Sequence, residues 1–412
     1  MPEPTNPPRG LSRRAFLQGS ALAGFSAFLA ACGISGQASP APTAAAATSG
    51  TASLTPTVGP SPTNFSGNLN WANWIGYIDV SADNKKHPTI DKFTKETSVK
   101  VNYQEAIDAN ETFFTRDLQG PLSANPPLPT QWDLIVVTDW MVARLARLGW
   151  LEKINTANTP NFPTNLLDPY HGRSFDPDTN LAAPWQSGMT GIGFDKKKTG
   201  DLTSLEVFWD PKYKGKLEYQ SEMRDTVGLA AIRHGYEPSA ITQDQFDTTI
   251  ADIKKAVVDD RLVRAVTGNS YVEDMAAGDA LVAMAWSGDV LTLLVPDQTK
   301  DQDFQWALPK EGGMLWTDNM CIPLGAKNKG QAEAWINFYY DPQNAASIED
   351  YVNYVCPVKG AKDVLLKNDP TVGNNPLIFP PADYVARLHQ FRALTADEET
   401  AWSKAFDVAT GH

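Results

Sequence analysis

The sequence predicts an α/β protein built as two halves, each a mostly parallel sheet flanked by helices. Three observations carry this. Strand-like and helix-like periodicities alternate along the chain instead of segregating, the order that yields parallel sheets with helices on both faces. The alternation runs through once and restarts after Pro184. The stretch able to form a core, from about Gly67 to His412, is roughly 345 residues, too long for one comfortable core.

The elements follow in order. Leu69–Trp74 reads as a strand and Asn84–Thr97 as an amphipathic helix. Val99–Tyr103 alternates as a second strand, and Asn110–Leu118 is helical. Trp132–Val137 is largely apolar, as expected of a strand buried on both faces. Asp139 is placed to cap a helix Trp140–Leu148 that Gly149 ends. After Pro184 come strands at Gly191–Phe194 and Lys216–Tyr219, helices at Arg224–His234 and Asp244–Val258, and a third buried strand, Leu281–Trp286. Ligands of open α/β sheets bind beyond the carboxyl ends of the strands. That directs attention to Thr138–Trp140, Gln220–Asp225 and Trp286–Asp289.

The first 66 residues are of another kind. Ser12-Arg13-Arg14-Ala15-Phe16-Leu17 precedes an apolar run, Ala21–Ala31, that ends in Leu29-Ala30-Ala31-Cys32-Gly33. The run is too short to span a bilayer stably. A basic flank, a short apolar core and small residues read as an export signal over 1–31, with the twin arginine pointing to the Tat route. Leu-Ala-Ala-Cys resembles a bacterial lipobox, so Cys32 is the expected lipidation site and membrane anchor; the alternative is a plain cleaved leader. Residues 32–66 are almost all Ala, Pro, Thr, Ser and Gly, an expected disordered tether.

The chain carries a formal net charge of −13. Arg9, Arg13 and Arg14 against Glu3 make the leader basic, so the remainder is more acidic still. That argues against nucleic acid as a partner and is compatible with a cationic ligand. Besides Cys32, only Cys321 and Cys356 remain, either a disulfide or two buried thiols. There is no Walker A loop, no Gly-x-Ser-x-Gly elbow and no His-Glu-x-x-His, and the five histidines are scattered. No metal, cofactor or enzymatic role is expected.

Several ordered motifs point further. They are Asn73-Trp74-Ile75-Gly76-Tyr77, Asn110-Glu111-Thr112, and Asp133-Leu134-Ile135-Val136-Val137 with Thr138-Asp139-Trp140. Asp210-Pro211-Lys212-Tyr213-Lys214-Gly215-Lys216-Leu217 follows, then Pro309–Asp318 (PKEGGMLWTD), and Ala326-Lys327-Asn328-Lys329 with Trp335-Ile336-Asn337-Phe338. Together they resemble the bacterial spermidine/putrescine-binding proteins, extracytoplasmic receptors of polyamine ABC importers, over about Leu69–Leu365. The resemblance implies a two-lobed periplasmic-binding-protein-like fold with a hinge of crossing segments. It implies lobe one at 67–188 plus 317–362 and lobe two at 189–316 plus 363–412. It also implies an extracytoplasmic location, a polyamine ligand and an ABC permease as partner.

The chemistry agrees. A polyamine needs carboxylates at its ammonium groups and aromatic faces along its methylenes. The resemblance puts Trp74, Tyr77, Trp140, Trp286, Trp316 and Tyr354 in an aromatic box, with Thr138 beside it, and Glu222, Asp225 and Asp318 at the amines. Core packing is the rival role for any one Trp, and a helix first turn for Glu222 and Asp225. The chain departs from the family in three places. Glu222-Met223-Arg224-Asp225 swaps the acid lengths of the family's Asp-x-Arg-Glu, and Ile75 replaces a small hydroxyl residue. The C-terminal binding amide falls at Gln390 or Arg392. Rival readings are the same fold with another cationic or amino-acid-like metabolite, a tethered extracytoplasmic hydrolase, and a lipoprotein that contacts another protein.

Overall fold

The computed structural model describes residues 66–83, 85–294 and 298–411. The export signal, Cys32 and all of the tether but Ser66 lie outside them.

Strand β1 (Gly67–Trp74) leads to helix α1 (Pro88–Thr97), β2 (Val99–Ile107), and a helical stretch beginning with α2 (Asn110–Phe113). Then come β3 (Leu134–Thr138) and α3 (Asp139–Leu148). α1 starts at Pro88, not Asn84, because the proline ring is preorganised for a first helical position. β3 buries alternate residues in different cores: Leu134 and Val136 on one face, Ile135 and Val137 on the other. Gly149 ends α3 in the left-handed region (φ 71°). Asp139 does not cap that helix. It is the first helical residue, and its carboxylate accepts from Arg173 Nη1 at 2.5 Å and Asn319 Nδ2 at 2.9 Å.

The short strand expected at Gly191–Phe194 is the far end of β4 (Ala182–Asp195), fourteen residues, all buried. Pro184 and the glycines at 188, 191 and 193 hide it from a propensity reading. After β4 follow β5 (Leu217–Gln220), α4 (Met223–Arg233), α5 (Gln243–Lys254), β6 (Val263–Val266), β7 (Val282–Trp286), β8 (Phe304–Ala307) and β9 (Gly313–Cys321). The chain closes with α6 (Lys329–Tyr339), α7 (Pro342–Val352), α8 (Ala361–Asn368), β10 (Leu388–His389) and α9 (Ala396–Thr410).

The strands run in the order β2-β1-β3-β9-β4-β7-β5-β6, with β8 and β10 off this path. β2-β1-β3 is a parallel set, and so is β7-β5-β6. Between them β9 and β4 are antiparallel to each other and to the strands of the two sets that they join, β3 and β7; β10 alone runs parallel to β9. These two long strands therefore belong to both halves. The first half packs one core around Trp71, Trp185, Trp335 and Tyr339 and another, across the sheet, around Phe113, Trp132 and Met141. The second half packs around Tyr219, Val227, Phe246 and Trp402, with a smaller cluster at Tyr271 and Val290. Leu365, Val372 and Ile378 sit in the first half's core, so this stretch does not belong with the second half as the 362/363 boundary has it.

A Cys321–Cys356 disulfide is also overturned: both are free, buried thiols. Along β9 side chains alternate, so Cys321, three residues after Asp318, turns to the opposite face. It packs with Ile135 and Val137, while Cys356 packs in the core across the sheet.

Candidate functional site

The site is assembled at strand ends. Asp318 on β9 lies opposite Thr138, the last residue of β3, in the strand register. Thr138 Oγ1 donates to Asp318 Oδ1 at 2.7 Å, and Tyr77 Oη donates to Oδ2 at 2.9 Å. Asn110 secures Thr138: its Nδ2 donates to Thr138 Oγ1 at 2.8 Å, and its Oδ1 accepts from the Thr138 N–H at 3.1 Å. Burial pushes Asp318 up to about 7; the charges of Asp139 and Glu222 add to this, against the two hydroxyl bonds.

The other end is Asp225, in the first turn of α4 and equally buried. Thr190 Oγ1 of β4 and the Trp286 Nε1–H at the end of β7 each donate to it at 2.9 Å. Burial, and then the charge of Glu222, push Asp225 up to about 7 as well. Glu222 is the residue before α4; its carboxylate accepts from the Arg224 N–H at 3.4 Å, and its side chain is one-third exposed (33%). The Glu222 charge acts on both Asp225 and Asp318.

Aromatic rings join the two ends. Tyr77 and Tyr354 stand 5.5 Å apart edge-on, Tyr354 and Trp316 5.7 Å, and Trp316 and Trp286 6.0 Å. Trp316 Nε1 donates to Thr190 Oγ1 at 3.2 Å, tying the row to the Asp225 end. Gly188 makes room for it: a Cβ there would lie 2.1 Å from the Trp316 ring. The result is an apolar, polarisable wall with a buried carboxylate at each end, suited to cationic groups separated by hydrocarbon.

Seven of the ten expected residues are thus linked in one constellation: Tyr77, Thr138, Asp225, Trp286, Trp316, Asp318 and Tyr354. Glu222 adjoins it. Trp74 packs against both first-half cores, and its Nε1–H is buried without an acceptor among the described residues. Trp140 is not an open face. The Arg224 guanidinium lies 4.0 Å from its ring centre, and Arg144 lies 5.1 Å away. Ile75 is 66% exposed and borders a surface groove with Glu105 and Arg116, so it removes no contact from the cleft. Arg392 is held by Glu398, the Ile241 carbonyl and the Trp402 ring, which leaves it no role at an amine.

Sequence reasoning missed Asp289. It is buried, and it accepts from Tyr271 Oη at 2.8 Å and Tyr354 Oη at 3.1 Å, so it orients a ring of the aromatic row. It closes the Trp286–Asp289 segment already singled out beyond β7. Thr190, which serves both Asp225 and Trp316, lay in the part of β4 that had not been recognised as strand.

An α/β fold crossed by two shared strands, with buried acids and aromatic rings from both halves brought together, is the architecture of a binding protein of the periplasmic type. The comparisons with known proteins agree. The chain belongs to the bacterial extracellular solute-binding protein family, whose model matches residues 89–380. It is 27% identical over 319 residues to the spermidine/putrescine-binding periplasmic protein of Escherichia coli K12, covering 77% of this chain and 84% of that one. It is 27% identical over 357 residues to the putrescine-binding periplasmic protein PotF of the same organism, covering 82% and 90%. In fold it matches the spermidine/putrescine ABC transporter substrate-binding protein PotD of Streptococcus pneumoniae, with a TM-score of 0.68 at 22% identity, over 84% of this chain and all of that one.

Proposed function

We propose that the protein is an extracytoplasmic receptor that captures a polyamine between two lobes and hands it to an ABC importer. Cys32, lipidated, would anchor it to the membrane. Lobe one would be residues 67–188 with 317 to about 379, and lobe two 189–316 with the remainder. The observation that carries this reading is the pair of buried carboxylates, Asp318 and Asp225, at the two ends of one aromatic row. Buried acids of this kind are costly when ionised and empty. An ammonium at each end offsets that cost, and methylenes between them cover the rings. Contacts from both halves to one ligand make closure and binding a single equilibrium.

Calorimetric titration of the purified protein with putrescine, spermidine, spermine and 4-aminobutyrate tests it. Binding of at least one of the three polyamines is expected. No heat from any of them, with heat from 4-aminobutyrate, would replace the reading with an amino-acid-like ligand.

A further inference from the structure

Beside the cleft, on the flank that Glu222 occupies, three arginines and three glutamates meet. The first half supplies Arg144 and Arg147 from α3, a helix packed into that half by Met141, Val142 and Leu145, with Glu111 next to it. The second half supplies Glu222 and Arg224 at the start of α4, and Glu399 in the first turn of α9, a helix packed there by Trp402 and Phe406. Glu399 is mostly buried and is the centre of the group. Arg144 Nε reaches its Oε2 at 3.2 Å, Arg147 Nη2 the same oxygen at 2.9 Å, and Arg224 Nη2 its Oε1 at 2.9 Å. Arg147 Nη1 also donates to the Leu394 carbonyl at 2.9 Å.

These contacts sort into two kinds. Arg144–Glu111, at 2.7 Å, stays within the first half; Arg224–Glu222, at 3.7 Å, and Arg224–Glu399 stay within the second. Four others cross between halves: Arg144–Glu399, Arg147–Glu399, Arg147–Leu394 and Arg224 on the Trp140 ring. Both of Arg147's hydrogen-bonded partners are across the cleft. Only interactions that differ between two conformations shift the balance between them. The crossing contacts are of that kind, and they are charged and largely shielded from solvent, where pairing counts for more than at an open surface.

We infer that Arg147 and Glu399, with Arg144 and the Arg224–Trp140 stack, form a latch that holds the two halves closed independently of ligand contacts. Glu222 connects it to the site: its carboxylate pairs with Arg224 at 3.7 Å, and it caps the helix whose first turn carries Asp225. The latch rests on the reading that ligand binds between the halves, but its effect on closure does not depend on which ligand does.

The test is small-angle X-ray scattering of the ligand-free full chain as salt is raised from about 0.05 to 0.5 M, paired with calorimetry using putrescine and spermidine. The wild type is expected to be compact at low salt and to expand as salt weakens the latch. Glu399→Gln keeps the shape and removes the charge. It is expected to be expanded already at low salt, to lose most of the salt response, and to bind both amines about tenfold more weakly, the signature of a depleted closed state. Should Glu399→Gln fail to fold, Arg147→Gln, at a partly exposed position, is expected to give the same pattern more weakly. Wild-type scattering and salt response in the folded variant would overturn the latch. So would weakening of one amine alone, which marks a ligand contact. If neither amine binds, the scattering alone decides on the latch, and the polyamine reading fails separately.

Discussion

The two ends of the cleft solve one problem differently. At the Asp318 end a single acid is held by two hydroxyls, Tyr77 and Thr138, both from the first half. At the Asp225 end the acid is held by a hydroxyl and an indole, Thr190 and Trp286, and a second acid, Glu222, stands beside it. Asp318 also has Asp139 behind it, but Asp139 is occupied by Arg173. So one end offers a lone carboxylate and the other a pair. Losing the lone carboxylate leaves an ammonium with nothing to replace it, whereas the pair tolerates loss of a member.

Asp318→Asn, nearly isosteric, breaks that comparison most directly. It is expected to weaken putrescine and spermidine alike by about 2–5 kcal/mol, as for removal of one partner of a buried charge pair. Asp225→Asn should cost less, because Glu222 remains. Calorimetry on the two variants side by side measures the difference; equal losses would mean the ends are equivalent.

Next in size is the wall between the ends. Gly188→Ala would push a methyl into the Trp316 ring. Overpacking of this sort costs about 1–3 kcal/mol. Binding of every chain length should fall together, since all offer methylenes to the indole, and tryptophan fluorescence should report the displaced ring.

A pH series sharpens the comparison further. Both Asp225 and Asp318 are raised to about 7 in the unliganded fold, far above the ordinary aspartate value. Groups raised in this way stabilise the fold at low pH, fully below about 4, and the contribution disappears as pH rises through 7. The unliganded protein should therefore lose thermal stability between about pH 4 and 7 on their account, with no further loss above. Amine affinity should rise over the same interval, because ammonium binds the ionised acids and displaces their protons. In Asp318→Asn the pH dependence of affinity should shrink but not vanish.

The smallest effect is expected at Glu222, one-third exposed and shared with Arg224. Glu222→Gln should cost under about 1 kcal/mol for putrescine, the range of a solvent-screened pair. The loss should be larger for longer, more highly charged amines. A uniform loss across chain lengths would move Glu222 from the amine site to the latch.

Much of this molecule was legible in the chain. The strand-to-helix alternation, the buried β3, the helix that Gly149 ends, and the segments beyond β3, β5 and β7 are local matters. Periodicity and terminating residues report them directly. The acids and aromatic rings that meet in the structure were named from the chain too, through the resemblance that its ordered motifs carry; their role at a ligand is the proposal above. What stayed hidden was long-range. β4 reads as broken by proline and glycine, yet burial between β9 and β7 makes it one strand. Alternation along β9 put Cys321 on the far face from Asp318. Trp140 offered an indole at a strand end, but only the approach of Arg224 from the other half decided that its face is taken. Asp289, Thr190 and Glu399 gained their roles the same way. A sequence records what each residue can do with its neighbours along the chain. Which residues from distant segments meet, and which of their faces stay open, is decided by packing two halves around shared strands.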